Sequence, residues 1–349
     1  MPRRSRPAVA LSGHVHCTRA DMGRILVMGG ASLLGARLAE RHLDRRDEVF
    51  SVDDLSRGSF ATIAHLRRRS GFAFVEHDVG DRSRVHDSVP FDAIYHLALP
   101  SSRGACEADP VHAAVTSVMG TLHALEIAAE HRARIVLATS IERWGPGVRC
   151  AESLAFEFAR TRGVDVRLVR VASVYGPRMS LDDKSPLLDL VIRAVRGADL
   201  LEAPSPAASC GERHALCWVD DGVETLVRTM ELERRVAAVA APLVEASYGD
   251  LVRAVLEASS ATTDIGAPDV RCERAAAPSW SATLTTPEAI PATLLFGQPA
   301  ALPLASGVAH LVRWVRDRIG GFDLVRTSGF FGPSPARGEP AEAPAEEAG

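Results

Sequence analysis

Residues 29–35 read Gly-Gly-Ala-Ser-Leu-Leu-Gly, and they stand between an apolar strand-like run and a helix-like one. A glycine turn at that junction aims backbone amides and the positive end of a helix at an anion, above all a pyrophosphate. Gly29 permits the tight turn, and Gly35 permits close helix–strand packing. Ser32 stands where the usual fingerprint has its middle glycine, so the motif is degenerate and its context decides. Asp53 ends the next apolar run, at the distance where a carboxylate grips the ribose hydroxyls of NAD. Arg57 follows within one turn and suits the 2′-phosphate of NADP. The choice between NADH and NADPH stays open on these residues.

The elements that must position these groups alternate. Arg24–Met28 reads as a buried strand, and Leu33, Leu34, Leu38 and Leu43 recur at helical spacing. Strands are expected at 47–54, 72–75, 92–98, 134–139 and 164–171. Helices are expected at 56–69, 109–133 and 151–162. Strand alternating with helix predicts an α/β fold, a doubly wound parallel sheet, with a coenzyme at the carboxyl ends of its strands. After about Ser180 the pattern loosens. Helices at 186–196, 220–233, 248–259 and 306–319 are separated by Pro/Ala/Ser stretches, which predicts a smaller substrate lobe. The expected division is a disordered leader (1–21), a dinucleotide-binding domain (22–179), a substrate-binding lobe with returning Rossmann elements (180–331) and a proline- and acid-rich disordered tail (332–349).

These residues resemble the extended short-chain dehydrogenase/reductase family, on its branch of NAD-dependent sugar epimerases, dehydratases and nucleotide-sugar decarboxylases. The landmarks are GGASLLG (29–35), Asp53, HDV (77–79), YHLALP (95–100), SVMGTLHAL (117–125), ATSIERWG (138–145), AESLAFEFAR (151–160) and RVASVYGPRM (170–179). The resemblance implies a coenzyme site of Gly29, Ser32, Leu33, Leu34, Gly35 and Asp53, with Arg57 beside it. It further implies Asp78 and Val79 near adenine, Leu97, Ala98 and Leu99 along the pyrophosphate and ribose, and Ala138 and Thr139 near nicotinamide. Ser140 takes the hydroxyl position beside a substrate carbonyl. Ser101, Ser102, Trp144 and Ser173 are the substrate-side candidates.

The departures carry more information. The family's Tyr-x-x-x-Lys pair supplies a proton and tunes it. Here the lysine position falls on Val148. Lys184 is the only lysine, and residue 180, four before it, is serine. Tyr95, Tyr175 and Tyr248 are followed four later by Leu99, Met179 and Val252. The basic residue expected before 215–219 is His214, and the asparagine expected before YGPR is Ser173. Losing these argues against a nucleotide-sugar substrate, and the short segment after Ser140 predicts an open cleft for a bulky, flat ligand. The combination resembles atypical family members that lack the pair yet act as NAD(P)H-dependent ketoreductases on angucyclinone-type aromatic polyketides in antibiotic biosynthesis. A non-catalytic NAD(P)-binding sensor or scaffold is the rival reading.

Bulk properties fit a soluble, cytoplasmic enzyme. The chain has 349 residues, 46% hydrophobic and 24% charged, with net charge −4, which gives no pull toward nucleic acid. No apolar run reaches membrane-spanning length. The six cysteines show no CxxC pairing and the twelve histidines no metal-ligand spacing, so neither disulfides nor a metal is expected. Oligomeric state cannot be read from these residues.

Overall fold

The computed structural model describes residues 23–81, 90–99, 109–141, 145–181, 183, 185–198, 200, 213–233, 238–260 and 289–327. The expected leader and tail lie outside these, as do Ser101, Ser102, Glu142, Trp144 and Lys184.

Eight parallel strands form the main sheet. They are β1 (Arg24–Met28), β2 (Glu48–Asp53), β3 (Phe72–Glu76), β4 (Ala93–His96), β5 (Arg134–Ser140), β6 (Val166–Val171), β9 (Ala238–Ala240) and β11 (Ile290–Pro291). Their order is β11-β9-β6-β5-β4-β1-β2-β3. β1 pairs with β2 on one side and β4 on the other, so the chain reverses its direction of winding between β1 and β4. In open α/β sheets that reversal opens a crevice at the carboxyl ends.

Period-two alternation explains why β1 sits at the centre. Ile25 and Val27 enter one core, with α1 (Leu33–Asp44) and α6 (Val219–Glu231). Leu26 and Met28 enter the other, with α3 (Pro110–His131) and α4 (Gly145–Arg162). A strand buried on both faces needs an unbroken apolar run, and RILVM supplies it. A second sheet, β10-β8-β7, contains β7 (Ser173–Tyr175), β8 (Arg213–Trp218) and β10 (Val244–Ser247). It packs with α5 (Pro186–Val195), α7 (Tyr248–Ser260) and α9 (Leu304–Thr327) around a third core containing Leu188, Leu251 and Leu311. α8 (Ala292–Phe296) follows β11.

Two expectations are corrected. The helix expected over 56–69 shrinks to α2 (Phe60–Ile63), capped by the Ser59 hydroxyl. Ile63 and Leu66 are both fully buried, and bonds from the Leu66 amide to Ile63 and from Arg69 to Leu66 close three-residue turns instead. α4 starts at Gly145, six residues before the expected Ala151. Its first turn buries Val148, and Gly147 lets it lie on α3: a Cβ there would stand 2.8 Å from Ala114 Cα.

Gly35 carries the tightest constraint of the first turn. A Cβ at this position would meet the Gly29 carbonyl oxygen at 2.4 Å. Gly35→Ala should therefore destabilise the chain by about 1–3 kcal/mol, the cost of overpacking, measured by urea unfolding. An unchanged midpoint would mean that the turn relaxes freely.

Candidate coenzyme crevice

The glycine turn is built by contacts that exclude side chains. Gly29 has φ +84°, and its missing Cβ would lie 2.7 Å from Ala98 N and 2.9 Å from the Leu97 carbonyl carbon. The turn after β1 and the segment after β4 thus touch backbone to backbone. Ser32 is the N-cap of α1: its hydroxyl accepts from Gly35 N at 3.1 Å and donates to Gly29 O at 2.7 Å. That pair of hydrogen bonds explains a serine where a glycine is usual. The first turn of α1, beginning Leu33-Leu34, holds no acidic residue, so its positive pole is unneutralised by its own side chains.

Asp53 ties two strands' ends together. Its carboxylate accepts from Ala31 N at 3.0 Å and from Leu55 N at 2.9 Å, and it is 7% exposed. Burial raises its pKa, and those two amide bonds oppose the rise. The Asp53 carbonyl accepts from His77 N at 3.1 Å, which brings β3's end alongside. There Asp78 caps its own turn through Gly80 N at 2.7 Å, and Val79 packs into the space left by Gly120. Arg57 is exposed on the rim of the same loop. Leu97 N donates to Met28 O at 2.8 Å, and Leu99 is buried.

Ala138, Thr139 and Ser140 end β5, and all three are buried. Beneath them is a group that sequence reasoning missed. Thr139 Oγ1 donates to Glu152 Oε1 at 2.8 Å, and Arg170 Nη2 donates to Glu152 Oε2 at 3.0 Å. Glu152 and Arg170 are 2% and 1% exposed. This buried pair locks β5, α4 and β6 together at the end of the sheet. Arg170 in the apolar strand VRLVRV was the available signal, since an arginine there must be paired.

The structure brings Gly29, Ser32–Gly35, Asp53, Asp78–Val79, Leu97–Leu99 and Ala138–Ser140 to the carboxyl ends of five adjacent strands. Ser173 sits apart, on β7 of the second sheet opposite Leu216. His214 lies inside β8, not before it. Val148 is 1% exposed. The three tyrosines are buried elsewhere: Tyr95 bonds His42 Nε2 at 3.1 Å, and Tyr175 and Tyr248 lie in the third core. Among the described residues no group of three or more His, Cys, Asp or Glu could hold a metal, and no helix is long and apolar enough to cross a membrane.

Residues 25–149 match the NAD dependent epimerase/dehydratase family. UDP-glucuronic acid decarboxylase 6 of Arabidopsis thaliana is 31% identical over 234 residues, covering 60% of this chain and 66% of that enzyme. UDP-glucuronic acid decarboxylase 1 of Xenopus tropicalis is 28% identical over 235 residues, covering 60% of this chain and 54% of that enzyme. The chain therefore spans less than two thirds of the length of these relatives. Among solved structures, UDP-glucose 4-epimerase of Thermotoga maritima superposes with a TM-score of 0.69 at 18% identity, covering 85% of this chain and 99% of that one. The fold is that of the extended short-chain dehydrogenases/reductases. A dTDP-glucose 4,6-dehydratase of Streptomyces venezuelae, DesIV, gives a TM-score of 0.69 at 20% identity, covering 86% of this chain and 99% of that one. These likenesses extend the family's fold beyond residue 149, into the lobe that the family match does not reach.

His96 closes β4, just before the crevice segment, and is fully buried with Nε2 3.2 Å from Thr121 Oγ1 and no partner on Nδ1 among the described residues. Burial lowers its pKa to about 4. The neutral ring is favoured in the folded state, so this contribution is complete above the unfolded pKa near 6.5 and is lost as pH falls toward 4. The expected loss is about 3 kcal/mol. Urea unfolding across that range should show it in the parent chain, and His96→Asn should flatten that part of the pH dependence. Parallel profiles would place the titration elsewhere.

Proposed function

We propose that this chain binds NAD(H) or NADP(H) in the crevice and reduces a ketone on an aromatic polyketide of the angucyclinone type. The fit of the coenzyme rests on the cradle at Gly29, which any Cβ would fill, and on a first turn of α1 that carries no acidic residue. On this reading the amides of Leu33 and Leu34 meet the pyrophosphate, and Asp53 meets a ribose with its remaining lone pairs. Asp78 and Val79 border adenine, Leu97–Leu99 line the middle, and Ala138 and Thr139 border nicotinamide. Arg57, on the rim, would meet a 2′-phosphate if NADP(H) is used. When bound, the coenzyme supplies hydride to the carbonyl carbon.

The observation that carries the ketoreductase reading is Val148. A buried valine stands at the lysine position, one turn into α4, and no lysine or tyrosine replaces the pair among the described residues. Epimerisation or dehydration of a sugar calls for a protein base at that point. Reduction of a ketone needs only orientation and one proton. Ser140 orients the carbonyl and donates a hydrogen bond, and a phenol beside the ketone, within the substrate, protonates the alkoxide. Such a pattern resembles the angucyclinone ketoreductase of simocyclinone biosynthesis. A second reading, a nucleotide-sugar enzyme, is favoured by the 31% identity to a UDP-glucuronic acid decarboxylase. A coenzyme-binding protein without catalysis is the third.

The test follows coenzyme absorbance and product mass with NADH or NADPH, offering an angucyclinone ketone in one arm and UDP-glucuronic acid in the other. Reduction of the ketone alone is expected. Conversion of the sugar nucleotide would establish the second reading, and coenzyme binding without turnover the third. Ser140→Ala should slow ketone reduction modestly, while methylation of the neighbouring substrate phenol slows it far more. Loss of about four decades of rate in Ser140→Ala would put the acid on the protein.

A further inference from the structure

A second cavity lies outside the crevice. The first turns of α1 and α6, the loop after β7 and α9 enclose a pocket of about 250 Å³. Of the residues proposed above to hold the coenzyme, only Leu33 lines it. Two indoles form its walls, Trp218 from the end of β8 and Trp314 from α9. Trp218 is fixed in place: its Nε1–H donates to Asp220 Oδ2 at 3.2 Å, and its ring packs edge-on against Tyr175 with centroids 5.4 Å apart.

Arg178 lines the same pocket from a backbone at φ +75°, a conformation that is costly for a side chain with a Cβ and persists where surroundings enforce it. Its bonds all run through one nitrogen. Nη1 donates to Glu40 Oε1 at 3.0 Å, to Glu40 Oε2 at 3.1 Å and to His65 Nε2 at 2.8 Å. Accepting that bond fixes Nε2 of His65 as the unprotonated nitrogen, and burial, then the charge of Arg178, hold its pKa below the usual value. The Nε–Nη2 edge of Arg178 has no partner among the described residues. That edge is the fork that takes a carboxylate in two parallel bonds. The neighbouring Arg37, by contrast, is engaged by Asp220 at 2.7 Å and by Glu40.

The geometry points to a second ligand site, for a planar aromatic carboxylate of one or two fused rings. The volume lies below the roughly 300–1,000 Å³ of sites for drug-sized ligands, so neither a dinucleotide nor a four-ring polyketide fits. The rings stack on the indoles, and the carboxylate takes the open edge of Arg178. The inference is independent of the proposed reaction, because the pocket shares no residue with the end of β5.

Calorimetric titration of the full chain with 2-naphthoate tests it, with 2-naphthamide as the neutral comparator. One molecule of 2-naphthoate should bind per chain, at least tenfold tighter than the amide, with affinity unchanged by NADH. Arg178→Gln and Trp314→Ala should each weaken binding tenfold or more, with thermal unfolding showing that both variants fold. The wild-type comparison of acid and amide needs no variant. Absence of heat with 2-naphthoate, equal affinity for the amide, displacement by NADH, or wild-type affinity in both folded variants would overturn the assignment.

Discussion

The crevice depends on a close approach of two backbones, the turn at Gly29 and the segment Leu97–Ala98. It exists because residue 29 has no Cβ and sits at φ +84°. From that contact the crevice follows. β1 and β4 must be neighbours for it to form, and their adjacency is the reversal point of the sheet. Helix α1 must start directly above it, and Gly35 lets the helix come close enough. Ser32 then spends its hydroxyl on capping the helix through Gly35 N, and the amides of Leu33 and Leu34 stay uncapped by it. A side chain at Gly29 or Gly35 would separate strand, turn and helix together.

Asp53 and the Glu152–Arg170 pair do related work at the two sides of this centre. Asp53 is nearly buried and satisfies amides on both the glycine turn and its own loop, so its charge costs less than burial alone would dictate. Glu152 and Arg170 are buried almost completely. A pair of this kind contributes little net stability, but removing one partner strands the other at a cost of about 3–5 kcal/mol. The pair therefore acts as a constraint on geometry. It fixes Thr139, and through the β5 backbone Ser140, against the first turns of α4.

Much of this was legible in the residues. The apolar run of β1, the glycine spacing and the placement of Asp53 are local features, and local patterns specify local structure. What was not legible depended on packing at a distance. The helix expected over 56–69 had acceptable composition, yet past Ile63 the amides of Leu66 and Arg69 bond three residues back, and the chain turns rather than coils. The early start of α4 depends on Gly147 meeting Ala114 of another helix, which no pattern within 145–162 announces. Nothing in the sequence near Glu152 announces its partner, because Arg170 stands eighteen residues on, in the next strand. The pocket at Trp218, Trp314 and Arg178 joins three segments that are remote in sequence.

On the proposed reaction, the absent acid–base pair sets the demand on the rest of the site. A positioned general acid is worth about 10²–10⁴ in rate, or roughly 3–5 kcal/mol of barrier. Val148 is apolar and buried, so nothing at that point in α4 can tune a proton donor. Ser140 can orient an oxygen but is far less acidic than a tyrosine hydroxyl, whose pKa is near 10. The remaining source of rate on the protein is orientation, which in favourable intramolecular cases supplies about 7–11 kcal/mol. Orientation requires a rigid frame, and the buried Thr139–Glu152–Arg170 cluster gives the end of β5 that rigidity without placing a charge in the crevice. Removing either partner would strand the other, so the fold itself holds the pair in place. On the proposed reaction, the same constraint on the end of β5 serves to orient a substrate.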